Sequence, residues 1–412
     1  METDLCTHRS VQHRPALSAG LLRRIERDFQ PRWKRDWGGR SLLEGQAPGP
    51  NAVRLDGNDY LAVTGHPDIV AAQVKALMHG TQAVVQSGLF QREEHPARAL
   101  ELELARWTCH EDALLCQSGY AANIGAMQCL APKDSPVYID TLAHASLWEG
   151  IRAAGAVAHA FRHNDPEHLE RLALQHGPGL VAVDSVYSTT GDVCPLQAMV
   201  EVAERRGCML LVDESHSLGT HGPAGAGLTA ALGLSHRVHF ISSSLAKAVA
   251  GRAGFFTLPA CLRQYVITNS YPTMFSSCLL GHEVAGLQAT VRLLQGACEA
   301  RVRLKEHTLR VRERLSALGY ALPGSEQIIA LEIGTEVAAR DLRDAMEDRG
   351  LFGSIFFPPA TSRNRSMVRL TLNAGLTDSE LSHLEQVMAD LVPQFRPDTW
   401  GIARRMRRAR AD

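Results

Sequence analysis

The chain has 412 residues, 43 basic against 44 acidic, and a formal net charge of −1. That length is enough for more than one core and predicts two domains, while the balanced charge excludes a global pull toward nucleic acid. Nine cysteines with no C-x-x-C pair argue against a disulfide framework or zinc ribbon and for a reducing compartment.

The start, METDLCTHRS, lacks the basic and apolar parts of a secretion signal. No run of about eighteen apolar residues exists to span a bilayer. The expectation is a cytoplasmic protein with no membrane and no nucleic-acid partner. Residues 1–50 are polar and Arg-rich, helical in part, as in LLRRIERDFQPRW (21–33). VRLDGNDYLAVTGHP (53–67) reads as a strand and turn leading into a helix at 67–79. Residues 82–96 read as irregular, and 97–108 as an amphipathic helix.

Strands and helices then alternate. The predicted strands are Ala113–Cys116, Val137–Asp140, Ala156–Phe161, Leu180–Asp184, Met209–Val212, Val238–Ser242 and Gly254–Leu258. Seven strands in this alternation predict an α/β fold, with a mainly parallel sheet in a large domain over 51–280. A charged amphipathic helix over 279–318 supplies a connector at 281–318. Strand Gln327–Ile333, helix Val337–Arg349, strands Phe352–Phe357 and Val368–Asn373 and a last helix follow. That helix opens on Thr377 and Glu380 at capping-box spacing. These elements predict a small α+β C-terminal domain over 319–395. A basic tail, 396–412, carries Arg404, Arg405, Arg407, Arg408 and Arg410 and is predicted to be solvated. The sequence has no internal repeat and no low-complexity segment.

Chemistry concentrates at strand ends. CMLLVDESHSLGTHG (208–222) ends an apolar run in Asp213, with His216 three residues on. VHFISSSLAKAVAGRAGFF (238–256) delivers Ser244 and Lys247 just past another run. Ligands of open α/β sheets sit outside the carboxyl ends of the strands, so an acid, an imidazole, a hydroxyl and an amine share one rim. That set suits pyridoxal 5′-phosphate: an amine to bind it and a carboxylate to keep its pyridine nitrogen protonated. In CQSGYAAN (116–123) small residues open a helix, so Gly119 and Tyr120 are candidates for the phosphate. His144 follows a strand and either stacks on the pyridine or is a satisfied core histidine. Asp184 ends another strand, ahead of Ser188, and either meets the ring region or forms a turn. Neither G-x-x-x-x-G-K-[ST] nor G-x-G-x-x-G occurs at a strand–helix junction, which removes support for a nucleotide-binding enzyme. His159, His163 and His168 do not follow zinc spacing, and no metal is expected.

GNDYL…HP, IDTLAHASLWEG, DESHSLGTHGPAGAGL and SSSLAKA resemble the α-oxoamine synthases, fold-type I pyridoxal-phosphate transferases that condense an amino acid with an acyl-CoA. The likeness runs from about Asn51 to Val392. VDSVYST, SEQII, FGSIFFPPATS and VRLTLN resemble, within that family, the quorum-sensing autoinducer synthases of the CqsA type. The resemblance implies a homodimer with shared active sites. It also implies an acyl-CoA and a small amino acid or S-adenosylmethionine as substrates, and a long-chain aminoketone as product. Lys247 matches the lysine that binds the cofactor, Asp213 the partner of its ring nitrogen, and His144 the stacked imidazole. His216 and Ser188 match groups near the ring hydroxyl, and Gly119, Tyr120 and Ser244 match phosphate contacts. Ser276 and Ser277 match a segment that reaches the neighbouring subunit's phosphate. Arg369 matches the grip on the amino-acid carboxylate, and Asn58 an asparagine near the substrate. QAVVQSGLFQREEHP (82–96) departs from the Gly-rich stretch of glycine-using relatives, and Asp184 stands where those relatives usually have glutamate.

The rival readings are a glycine-, alanine- or serine-using synthase of the 8-amino-7-oxononanoate synthase or 2-amino-3-ketobutyrate CoA ligase type, an aminotransferase on the same fold, and a cofactor-binding non-enzyme.

Overall fold

Seven apolar runs of five residues each form one sheet in the computed structural model, which describes residues 16–79, 85–402 and 405. They are β1 (Asp112–Cys116), β2 (Pro136–Asp140), β3 (Val157–Phe161), β4 (Leu180–Asp184), β5 (Met209–Asp213), β6 (Phe240–Ser244) and β7 (Gly254–Leu258). The order across the sheet is β1-β7-β6-β5-β4-β2-β3. All neighbours are parallel except β7, which runs against both β1 and β6. Register sets Asp184, Asp213 and Ser242 side by side across β4, β5 and β6. Because β7 is reversed, its first residue, Gly254, lies level with Ser244 and Cys116 at that same rim.

Helices such as Gly119–Leu130, Ala145–Ala154 and Leu196–Arg206 return the chain between strands. Ile139, Val181, Leu211 and Ile241 are fully buried between the layers, each burial stabilising by roughly 2 kcal/mol. Gly155 and Gly207 end two of these helices at φ 69° and 62°, a left-handed cap that glycine adopts without steric cost.

A second sheet holds β8 (Ile328–Gly334), β9 (Ser354–Phe356) and β10 (Ser366–Thr371), antiparallel in the order β9-β10-β8. The strand predicted over Phe352–Phe357 is two pieces. Leu351–Phe352 pairs in parallel with Val53–Arg54, and β9 pairs with β10. Gly353 is the joint: a Cβ there would stand 2.7 Å from Leu370 Cδ2 and 2.9 Å from Val368 Cγ1. The N-terminal stretch is tied to the same unit. Arg343 donates to Leu42 O (2.7 Å) and Glu44 O (2.9 Å), and Arg32 pairs with Glu336 at 2.7 Å.

The helix predicted over 279–318 is also two, Gly281–Gly296 and Cys298–Ala317, broken at Ala297 (ψ 47°). Thr377 and Glu380 do form the reciprocal capping box. In the basic tail, the exposed Arg405 pairs with the buried Glu332. Arg404, Arg407, Arg408 and Arg410 lie outside the described residues, as do residues 82–84 of the irregular stretch. Among the described residues no helix is long and apolar enough to cross a membrane.

Candidate active site

The end of β5 supplies the floor. Asp213 is 4% exposed, and both its oxygens are engaged: Ser215 N–H donates to Oδ1 (2.9 Å) and Asn123 Nδ2 donates to Oδ2 (2.7 Å). Asn123 projects from the helix that follows β1, so one side chain spans two crossover units. Its second hydrogen goes to Ser146 Oγ at 2.8 Å, and that hydroxyl lies 2.7 Å from His144 Nδ1. His144 caps the helix Ala145–Ala154, and its backbone N–H donates to Asp184 Oδ1 at 3.2 Å.

His216 is buried one turn past Asp213. Its Nδ1 is hydrogen-bonded to the hydroxyl of Tyr60, and its carbonyl accepts from Gln327 Nε2 at 2.9 Å. Burial pushes the His216 imidazole well below its ordinary pKa, and the charges of Lys247 and Arg369 act in the same direction. Burial likewise holds Asp184 well above the usual carboxylate range, reinforced by neighbouring Asp213. Glu214 closes the loop that carries His216, accepting from Leu228 N (2.9 Å) and Thr229 N (2.7 Å).

Lys247 lies in the short connection from β6 to β7, a loop closed by Leu245 N–H to Ala253 O (2.9 Å) and Ala250 N–H to Lys247 O (2.8 Å). Burial lowers its pKa, Arg369 lowers it further, and Asp213 opposes. The amine thus gives up its proton more readily than a surface lysine. The same cavity holds a helix N-terminus. Ser118 caps the helix Gly119–Leu130 by accepting from Ala121 N–H at 3.1 Å. Gly119 comes so near Ser244 that a Cβ would stand 2.5 Å from Ser244 Cβ. Ser244 is itself held by its N–H to Ser215 Oγ at 2.7 Å. Tyr120 is 46% exposed and meets His144 edge-on, centroids 6.5 Å apart. One cavity of about 200 Å³ collects Gly119, Tyr120, His144, Asp213, His216, Ser244 and Lys247, with Asp184 and Asn123 in its wall.

Arg369 comes from β10 of the other sheet. It is 6% exposed, donating from Nη1 to Ser188 O (2.7 Å) and from Nη2 to Asn58 Oδ1 (3.0 Å), over the Phe356 ring at 4.6 Å. Its Nε is buried without a partner, and it has no carboxylate partner among the described residues. Ser188 therefore enters through its backbone carbonyl. Ser276 and Ser277 do not line the cavity of their own chain. The Ser276 hydroxyl bonds Pro272 O, and Ser277 O accepts from Gln117 Nε2 at 2.7 Å, beside exposed Phe275.

Sequence reasoning missed Asn123, Ser146, Ser215, Tyr60 and Gln327. Asn123 stands inside CQSGYAAN, four residues past Gly119, and that spacing brings it beneath the same helix turn. Tyr60 and Gln327 carried no such signal, since their contacts cross 156 and 111 residues. Among the histidines near β3, His163 engages Asp140 and Asp192, and His159 stacks on His176 at 3.8 Å.

The cavity fits pyridoxal phosphate. A helix N-terminus with no room for a Cβ receives an anion, a carboxylate anchored by two donors sits on the floor, and an amine of lowered pKa faces both. Comparison with known proteins agrees. The family model described as Aminotransferase class I and II matches residues 50–387. The CAI-1 autoinducer synthase of Vibrio campbellii is 41% identical over 343 residues, 83% of this chain and 87% of that protein. An 8-amino-7-oxononanoate synthase of Anaeromyxobacter dehalogenans is 31% identical over 84% of this chain and 88% of its own length. Among solved structures, serine palmitoyltransferase from S. paucimobilis with a bound PLP–myriocin aldimine superposes with a TM-score of 0.84 at 26% identity, covering 91% of this chain and 99% of that one. The chain belongs to the aminotransferase class I and II family and, within it, to the pyridoxal-phosphate-dependent α-oxoamine synthases, which are acyltransferases.

Proposed function

We propose that the enzyme condenses an acyl-CoA with a small amino acid of the 2-aminobutyrate type, or with S-adenosylmethionine. Loss of CO₂ and CoA then leaves a long-chain α-aminoketone, the precursor of a quorum-sensing autoinducer. The observation that carries the reading is Arg369, a buried guanidinium with an orphan Nε and neutral acceptors only, whose charge bears on Lys247. Such a group is poised for an anionic substrate, because an unpaired buried charge is costly until a carboxylate meets it. Likeness to the Vibrio campbellii autoinducer synthase supports the product class.

Pyridoxal phosphate, when bound, supplies an electron sink for the carbon next to the substrate amine. Lys247 would hold it, and its amine would take the proton from that carbon. Asp213 keeps a proton on the ring nitrogen. His216, steadied by Tyr60, would serve the ring hydroxyl, His144 would stack on the ring, and Ser188 would act from behind Arg369 through its carbonyl. Gly119, Tyr120 and Ser244 hold the phosphate. Arg369, with Asn58 beside it, would grip the substrate carboxylate and so orient the α-carbon. A lysine of lowered pKa suits the proton transfer, since the neutral amine is the base.

The working unit is a cytoplasmic homodimer in which Ser276 and Ser277 serve the neighbouring subunit's phosphate. Their absence from their own cavity and the exposed Phe275 and Tyr271 nearby support this. Mixing Lys247→Ala chains with Ser276→Ala/Ser277→Ala chains places both lesions in one site and none in the other. Partial recovery of activity is expected, and no recovery would show sites built within one chain. The reaction is tested by incubation with labelled amino acids and a range of acyl-CoAs, followed by mass spectrometry. A long-chain aminoketone with matching CO₂ and CoA release is expected. A keto acid without either product would make the protein an aminotransferase, and turnover confined to glycine would replace the proposed acceptor.

A further inference from the structure

The hydrogen bonds linking Asp213, Asn123, Ser146 and His144 have a forced proton order. A carboxylate only accepts, so the atom of Asn123 facing Asp213 Oδ2 at 2.7 Å is the amide nitrogen. Its second hydrogen is directed to Ser146 Oγ at 2.8 Å. The serine hydroxyl, already accepting, has its own hydrogen left for His144 Nδ1 at 2.7 Å. The backbone N–H of Ser146 meets the same nitrogen at 3.3 Å. Two donors converge on Nδ1, so that nitrogen carries the lone pair and the ring proton sits on Nε2. Asn123 is 2% exposed and Ser146 0%, which leaves no solvent to compete for these bonds. The Asn123 Oδ1 is buried without a partner, so the amide is held by its NH₂ end alone. Burial moves the His144 pKa down, against Asp213 and together with Lys247, in keeping with a neutral ring.

We propose that Asn123 and Ser146 are positioning residues that fix His144 as its Nε2–H tautomer and bind its orientation to that of Asp213. His144 then offers its remaining nitrogen as a donor and not as an acceptor. It can hold a proton toward a substrate oxygen, but it cannot take one. Capping of the helix Ala145–Ala154 by His144 requires only the Ser146 backbone N–H. The hydroxyl and Asn123 are therefore surplus to a purely structural role. The consequence for catalysis rests on His144 lying over the cofactor as proposed above. The tautomer itself is a property of the protein alone, so it stands or fails independently of the proposed reaction.

The test is two-bond ¹H–¹⁵N spectroscopy of the ¹⁵N-histidine-labelled full chain, with and without pyridoxal phosphate, the His144 signal being assigned by its loss in His144→Gln. In the parent, Nδ1 should resonate as an unprotonated nitrogen and Nε2 as a protonated one. Ser146→Ala and Asn123→Leu should each lower the ratio of Nε2–H to Nδ1–H forms about fivefold, the worth of one hydrogen bond. Ser146→Thr, which keeps the hydroxyl, should match the parent. An Nδ1–H ring in the parent overturns the proposal whatever the variants do, as does a parent-like spectrum in folded Ser146→Ala. A parent-like spectrum in Asn123→Leu alone overturns the part assigned to Asn123.

Discussion

Asp213 and Arg369 are both buried, one at the rim of the seven-stranded sheet and the other in the three-stranded one, yet their surroundings differ. Asp213 accepts from two well-placed donors, and these belong to a chain of bonds running on to His144. Arg369 has two neutral acceptors, an aromatic face and an unpartnered Nε. Burial lowers its pKa, with Tyr60 opposing. The rim is organised by the protein's own hydrogen bonds, as suits a resident cofactor. The arginine is left short of partners, as suits a substrate that arrives and leaves each turnover. The contrast teaches that one group can be fully satisfied and another left short of partners within the same protein, with each property drawn from a different sheet.

Breaking the rim should cost most. With Lys247 as the proposed cofactor tether and proton carrier, Lys247→Ala should lower activity on the order of 10⁴-fold. Steady-state rates checked against cofactor content separate that loss from unfolding. Asp213→Asn keeps a hydrogen-bonding side chain but not the charge that holds the ring proton. A fall of about 100-fold or more is expected, read as exchange of the substrate α-proton for deuterium by NMR. Near-parent exchange there would strip Asp213 of its role.

Weakening the other sheet should cost less and selectively. Arg369→Lys cannot reproduce the planar fork, and kcat/KM for the amino acid should drop by about 2–3 kcal/mol. The dependence on acyl-CoA should move much less, and the cofactor should still bind. Amino-acid kcat/KM within about twofold of the parent would remove Arg369 as the clamp.

The smallest effect lies on the same rim but outside the cavity, at Asp140. His163 stands 3.0 Å from it and 3.4 Å from Asp192. Burial works against protonation, but the hydrogen bond to Asp140 and the charges of both carboxylates outweigh it and raise the imidazole pKa to about 9. A folded-state pKa above the ordinary 6.5 means that the pair stabilises fully below about pH 6.5, and the contribution is lost as pH rises through about 9. His163→Gln should therefore lower stability by on the order of 2 kcal/mol near pH 6. In urea unfolding the gap to the parent should close by about pH 10. A gap independent of pH would show that the pair carries no charge linkage.

What was legible in the sequence follows from locality. Each run of the large sheet carries its own apolar length and turn residues, and Asp213, Ser244 and Lys247 fall at run ends without knowledge of any neighbour. The reversal of β7 was not legible, because direction depends on which strands Gly254–Leu258 joins and not on its composition. Gly353 split a predicted strand because its space is taken by Leu370 and Val368, residues remote in sequence. Strand alternation sets Arg369 and Thr371 opposite Val368 and Leu370 on β10, yet both faces are buried: Val368 and Leu370 in the core, Arg369 and Thr371 against the rest of the protein. Asn123 was overlooked because a polar residue inside a helix gains meaning only when Asp213, ninety residues on, is brought beneath it.

The account turns on Lys247 as the residue that holds the cofactor, and one measurement meets it directly. The purified protein, loaded with pyridoxal phosphate, is reduced with borohydride, digested and mapped by mass spectrometry. The added pyridoxyl mass should appear on the peptide containing Lys247, and Lys247→Ala should carry none. Finding it on Lys133 or Lys305 in the parent would contradict the assignment and, with it, the site built around the end of β6.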